Sequence, residues 1–133
     1  MPKVSYPPVA GLPRNPAFSE VAVIPSGASL VWIGGQNAVG ENREIVGKGD
    51  ATAQAARIKE RIELALKTAG CSWADVVRLQ VYLVAGVDPR ASYSVFAPAL
   101  ASRETPPLVG VYQVVALAHP DFLLEVSVEA VKP

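Results

Sequence analysis

Apolar positions along this chain repeat with two different periods, and the periods divide it into elements. Ala55, Ile58, Ile62, Ala65, Leu66 and Ala69 recur at helical spacing, with Arg57, Lys59, Glu60, Arg61, Glu63 and Lys67 mostly on the other faces. That pattern predicts an amphipathic helix. Asp50 is placed to cap it, its carboxylate accepting a free backbone N–H of the first turn, and Gly70 is placed to end it in a left-handed conformation. A second helix opens at Asp88-Pro89, carries Tyr93, Phe96, Ala97 and Leu100, and is shortened or bent by Pro98. Strands are expected at 20–24, 29–34, 76–84, 108–117 and 122–131. The first two are joined as a hairpin by Pro25-Ser26-Gly27-Ala28. Leu30-Val31-Trp32-Ile33 puts four large apolar residues in a row, which predicts a strand buried on both faces. Pro2, Pro7, Pro8, Pro13 and Pro16 make the start an extended arm with one short strand near Val4, and 37–49 reads as a polar, glycine-rich loop.

The resulting order is β-β-β-α-β-α-β-β. It predicts an α+β fold: a mixed sheet of about six strands with two helices packed on one face. The other sheet face is left without helices, so the chain is expected to associate with copies of itself. Its 133 residues fit a single domain, 1–133. A composition 50% hydrophobic and only 18% charged points the same way, toward apolar surface in need of a partner.

Twelve basic and twelve acidic residues leave no net charge, so the electrostatic footprint of a nucleic-acid binder is missing. A single cysteine cannot form an internal disulfide, no stretch approaches the roughly 20 apolar residues of a membrane span, and Met1-Pro2-Lys3 does not open like a signal peptide. A cytoplasmic protein is expected, with no membrane or nucleic-acid partner. No metal-ligand spacing occurs, and Gly34, Gly35 and Gly40 are not followed by the Lys-Ser/Thr of a phosphate loop. Neither a metal nor an organic cofactor is expected.

Candidate chemistry is sparse. Gly34-Gly35-Gln36 ends an apolar strand with two missing side chains and an amide that both donates and accepts, which suits one wall of a small-molecule cleft or a plain tight turn. Glu125, flanked by Leu124 and Val126, is the candidate acid–base group. Its parity with Ser127 and Glu129 equally fits an exposed strand face. Gln113 shares a face with Val109 and Val111, as a cleft group or as an interface residue. His119 falls in a turn, which rarely positions the partner that a catalytic histidine needs, and Cys71 follows a helix end with no His or Asp placed near it, so His119 reads as solvated and Cys71 as inert.

Taken in order, several motifs resemble one family. They are the hairpin ending in Gly34-Gly35-Gln36, the Asp50-capped helix ending at Ala69-Gly70, the strand Asp75-Val76-Val77 through Val81-Tyr82-Leu83, then Phe96, Thr105-Pro106-Pro107, and the closing run from Leu124 to Ala130. Over nearly its whole length the chain is similar to the Rid family (YjgF/RidA, reactive intermediate deaminases). The resemblance implies a chorismate-mutase-like fold and a homotrimer. Three sheets would pack their open faces into a barrel-like core, with ligand clefts between subunits. It also implies cofactor-free hydrolysis of enamines or imines such as 2-aminoacrylate.

The departures are as informative. Archetypal members carry an arginine that grips the substrate carboxylate two residues past the matching proline; here that position is Val109, and no lysine or arginine lies between Glu104 and Lys132. The family cysteine is replaced by Val111, the hairpin aromatic is Phe18 without a hydroxyl, and an asparagine of the second helix falls near Tyr93. The carboxylate of the last strand is kept as Glu125. The resemblance therefore implies an inter-subunit cleft formed by Phe18, Gly35, Gln36, Tyr93, Val109, Val111 and Gln113, with Glu125 as the catalytic group. Arg103 and Tyr93 are the residues that could compensate for the missing arginine. Apolar walls beside one carboxylate would favour neutral or amine-bearing ligands. The expected function is binding of a small molecule other than 2-aminoacrylate, with deamination or tautomerisation of an imine-like carbon if the protein is an enzyme. The alternative is a non-catalytic ligand-binding or regulatory trimer. Endoribonuclease or translation-inhibitor activity is less favoured by the charge balance.

Overall fold

The long helix forms where its spacing places it. In the computed structural model, which describes residues 3–132, α1 runs Ala51–Thr68, and the Asp50 carboxylate accepts from the Ala53 N–H at 3.0 Å. At the other end Gly70 takes φ +75°, and the N–H groups of Gly70 and Cys71 return to the carbonyls of Lys67 and Leu66. Those two bonds satisfy carbonyls that the helix would otherwise leave open. The apolar stripe buries Ala55, Ile58, Ile62 and Leu66 against the sheet.

The sheet has four strands, β1 (Ser29–Gln36), β2 (Val76–Val84), β3 (Leu108–Val114) and β4 (Leu124–Lys132), in the order β1-β4-β2-β3. β4 is antiparallel to both its neighbours, while β2 and β3 are parallel and joined by the crossover helix α2 (Arg90–Ala101). Pro98 lies inside α2 without ending it. Asp88 does not occupy the cap position itself; Pro89 does, and the Asp88 carboxylate accepts the Arg90 N–H at 3.0 Å.

Four sequence expectations are corrected here. About six strands become four, because the 20–24 segment and the stretch near Val4 meet only at the isolated bridge Ser5–Val23. The hairpin does not form: β1 pairs with β4 from Ser29 to Gln36, and the 20–24 segment pairs with the arm at Ser5 and not with β1. The strand expected to reach 117 stops at Val114, and Val115 is 94% exposed. Finally, β1 is not buried on both faces: Ile33 is buried, while Leu30 and Trp32, on the other face, are 60% and 75% exposed. An edge strand in a single chain has helices on one side only.

The core lies between the helices and one sheet face, where Leu79, Val81 and Leu83 of β2 meet Leu124, Val126 and Val128 of β4 and Phe96 of α2. Within it sits a fully buried amide. Gln54 Nε2 donates to the carbonyls of Asp121 (2.8 Å) and Gly47 (3.2 Å), and its Oε1 accepts from the Leu123 N–H (2.9 Å). This one side chain ties the start of α1 to the loop entering β4. The opposite sheet face carries Trp32, the stacked rings of Tyr82 and Tyr112 (centroids 5.4 Å apart), and the polar residues Glu125, Ser127 and Glu129.

Candidate ligand cavity and family membership

The parallel register of β2 and β3 sets Leu79 beside Val109 and Val81 beside Val111, so four apolar side chains share the helix-side face at one edge of the sheet. α2 lies over them but does not seal the edge. Of its residues only Ser92 and Phe96 are fully buried, Phe96 being fixed edge-on against Trp73 (centroids 6.0 Å, 69°). The third wall is the proline-rich arm. Ser19 holds it to the start of β3: its N–H donates to the Pro107 carbonyl (2.9 Å) and its hydroxyl to that of Pro106 (2.5 Å). This places Pro16, Ala17 and Phe18 opposite α2. The three walls enclose an open-mouthed cavity of ≈ 550 Å³, a volume that accommodates a small organic molecule.

Four expected site residues meet in this cavity: Phe18, Tyr93, Val109 and Val111. The other four do not. Glu125 projects from the opposite sheet face, between the inward-facing Leu124 and Val126, where it lies against Gly35 and beside Tyr82. A Cβ at position 35 would overlap the Glu125 carboxylate, so this glycine is what lets the carboxylate lie across β1. Gln36 is a brace: its Oε1 accepts from Arg61 Nε (2.9 Å) and its Nε2 donates to the Gly34 carbonyl (3.0 Å). Gln113 is exposed near the end of β3 and does not line the cavity. Alternation along β4 separates Glu125 from the apolar walls within one chain, so the expected pairing of those walls with a carboxylate is not made there. Arg103 is committed elsewhere. It donates to the carbonyls of Trp73, Val76 and Thr105 and to the Tyr6 hydroxyl, clamping the arm to the body.

Residues that sequence reasoning missed complete the walls. Leu79, Val81 and Leu100 were legible as apolar, but nothing in their spacing distinguishes a cavity wall from core. Arg90 had no signal at all. It stands at the rim, the only charged side chain among the described residues that line the cavity, and pairs with Asp88: Nε reaches both carboxylate oxygens (3.2 and 3.0 Å) and Nη2 reaches Oδ2 (2.7 Å). Hydrogen bonds from Arg90 hold the Asp88 carboxyl below its ordinary range. His119 sits in its turn, accepting the Asp121 N–H at Nδ1 (3.0 Å). Burial, then the nearby Asp75 carboxylate, push the Cys71 thiol upward, partly offset by Lys132. Among the described residues, no group of three His, Cys, Asp or Glu side chains could hold a metal ion, and no helix is long and apolar enough to cross a membrane.

Residues 12–132 match the family model described as Endoribonuclease L-PSP, the model of the Rid/YjgF proteins. The chain belongs to the Rid family. Its fold is correspondingly similar to solved members. A Rid-family protein of unknown function from Yersinia pestis, YyfB, is 32% identical over 86% of each chain, with a TM-score of 0.77. A YjgF/YER057c/UK114 family member from Mycobacterium tuberculosis is 30% identical over 84% of each chain (TM-score 0.63). RidA of an Antarctic Psychrobacter is 28% identical over 86% of this chain and 93% of its own (TM-score 0.67). No functionally curated protein matches the chain significantly. This Rid-family chain thus has the YjgF α+β fold that its motifs implied.

Proposed function

We propose that this Rid-family protein binds a small, largely apolar molecule in the cavity between α2, the β2–β3 edge and the arm, and that it does so as a homotrimer. The observation that carries the reading is the cavity itself: ≈ 550 Å³, with Phe18, Leu79, Val81, Phe96, Val109 and Val111 among its walls. Burying apolar ligand surface there is worth about 25 cal/mol per Å² before the costs of association. The trimer reading is supported by the uncovered sheet face, where Leu30, Trp32 and Tyr112 are exposed together with the Tyr82–Tyr112 stack.

One observation favours a second reading, hydrolysis of an imine or enamine. Glu125 is held over Gly35 on the face expected to meet other copies. From there it would serve a cleft completed by a neighbour, as a base toward water. With Val109 where archetypal deaminases carry arginine, turnover of 2-iminopropionate should be weak or absent. Endoribonuclease activity, the activity in the family model's description, is disfavoured by zero net charge.

The test is a fragment titration followed by methyl NMR, with light scattering alongside. Ligand-induced shifts should concentrate at the methyls of Val81, Val109 and Val111, and Val111→Trp should abolish them. The mass should be about three times 14.0 kDa. Shifts confined to Leu30 and Val115, or binding that survives Val111→Trp, would refute the cavity as the site. A monomer at micromolar concentration would refute the trimer.

A further inference from the structure

Three side chains among the described residues that line the cavity carry polar atoms: Arg90, Ser92 and Tyr93. They are not equivalent. The Arg90 side chain is 89% exposed and committed to Asp88, and Tyr93 is 66% exposed, so both meet solvent. Ser92 is only 5% exposed. It stands one helical turn before Phe96, and with Pro89, Phe96 and Leu100 it belongs to the stripe of α2 that lines the cavity. The side chain it presents there is a single methylene carrying a hydroxyl. That hydroxyl is half used. It donates to the Pro89 carbonyl (2.9 Å), which also accepts the Tyr93 N–H (3.1 Å), and no described residue donates to the Ser92 oxygen. A hydroxyl has one proton and two acceptor lone pairs, so the proton is committed while the lone pairs are open. Helix serines commonly return their proton to the preceding turn with no ligand involved. Ser92 differs in that its unfilled acceptor lies in the buried wall of a cavity and not toward solvent.

We infer that Ser92 selects the polar group of the ligand, and that the cavity takes compact, neutral aromatic molecules whose single N–H or O–H donor bonds to the Ser92 oxygen. The inference rests on the cavity being the ligand site and adds the ligand's class. A donor adds a hydrogen bond at Ser92 and breaks none. A ligand that offers only an acceptor gains from Ser92 by pulling its proton off the Pro89 carbonyl, which exchanges one bond for another. Ions fare worse. No Asp or Glu is among the described lining residues to hold an ammonium, and a carboxylate would face the open lone pairs of Ser92. The sequence favoured neutral or amine-bearing ligands on the strength of Glu125. With Glu125 on the opposite sheet face, the amine loses its support in this cavity, and the neutral class gains a different one from Ser92.

Matched pairs separate the donor and the charge from the apolar body. Indole and benzofuran differ in a ring N–H against a ring oxygen, and benzyl alcohol and benzylammonium differ in charge. Each is titrated into the full-length protein at neutral pH by calorimetry and NMR. Indole should bind about fivefold more tightly than benzofuran, the scale of one added neutral hydrogen bond. Benzyl alcohol should bind at least about tenfold more tightly than benzylammonium, which has no carboxylate to replace its water. Ser92→Ala should bring the indole-to-benzofuran ratio to about one by weakening indole alone. Alanine suits a helix interior, and retained benzofuran binding shows that the variant's cavity is intact. Equal binding of indole and benzofuran by the parent, an indole preference that survives Ser92→Ala, or a loss shared by both ligands overturns the role of Ser92 while leaving the cavity as a ligand site. Benzylammonium bound as tightly as benzyl alcohol overturns the neutral class. Failure of all four compounds to bind the folded parent at millimolar concentration overturns the cavity reading and this inference with it.

Discussion

Replacing Gln54 by leucine removes the most heavily used buried polar side chain in the core while nearly preserving its volume. The amide makes three hydrogen bonds, to the Asp121 and Gly47 carbonyls and from the Leu123 N–H, and the residue has no exposed surface. At about 1 kcal/mol net for each bond, Gln54→Leu should cost about 3 kcal/mol. For a domain of this size that is about 10 °C in melting temperature. The assay is urea unfolding followed by circular dichroism at one fixed protein concentration, since association shifts apparent stability. Gln54→Glu sharpens the test. Its carboxyl could still accept from Leu123 but would face two carbonyl oxygens in a fully buried setting, so its folded pKa should rise above the unfolded value of about 4.3. For an acid shifted upward, stability is present below the unfolded pKa and lost as pH rises through the folded one. Gln54→Glu should therefore be most stable relative to the parent near pH 4, and lose up to about 1.4 kcal/mol per pH unit above it. A leucine variant within about 0.5 kcal/mol of the parent, or a glutamate variant whose deficit does not depend on pH, would refute the account of this clamp.

Adjacent glycines in β1 should behave differently. Gly35→Ala drives the Glu125 carboxylate out of its position over the strand at a cost of about 1 kcal/mol in side-chain strain, whereas Gly34→Ala meets nothing within 4 Å and should change stability little. Denaturation midpoints of the two variants measure the contrast, and equal costs would contradict it. Alkylation of Cys71 by iodoacetamide should reach half its limiting rate only above the ordinary thiol value of 9.0, because burial and Asp75 both disfavour the thiolate. A midpoint at or below that value would place the thiol in a different environment.

Local chemistry was enough to specify the elements that local chemistry controls. The Asp50 cap, the Gly70 terminator, the stripe from Ala55 to Leu66 and the 76–84 strand depend on residues a few positions apart, and all four can be read from the chain. Membership of the Rid family was also legible, because its motifs lie in order along the sequence. Tertiary structure decided what depends on partners far away in sequence. The 20–24 segment has a strand's composition, yet it pairs only at the Ser5–Val23 bridge to the arm, while β1 pairs with β4. Phe18, Tyr93, Val109 and Val111 meet only because a parallel β2–β3 register and an arm pinned by Ser19 bring three distant segments around one space. Glu125 shows the limit most plainly. Sequence gives its parity with Ser127 and Glu129, but not which face the helices cover. The packing of α1 and α2 on Leu124 and Val126 settles that, turns Glu125 to the opposite side, and leaves Arg90 as the only charged residue among the described residues that line the cavity.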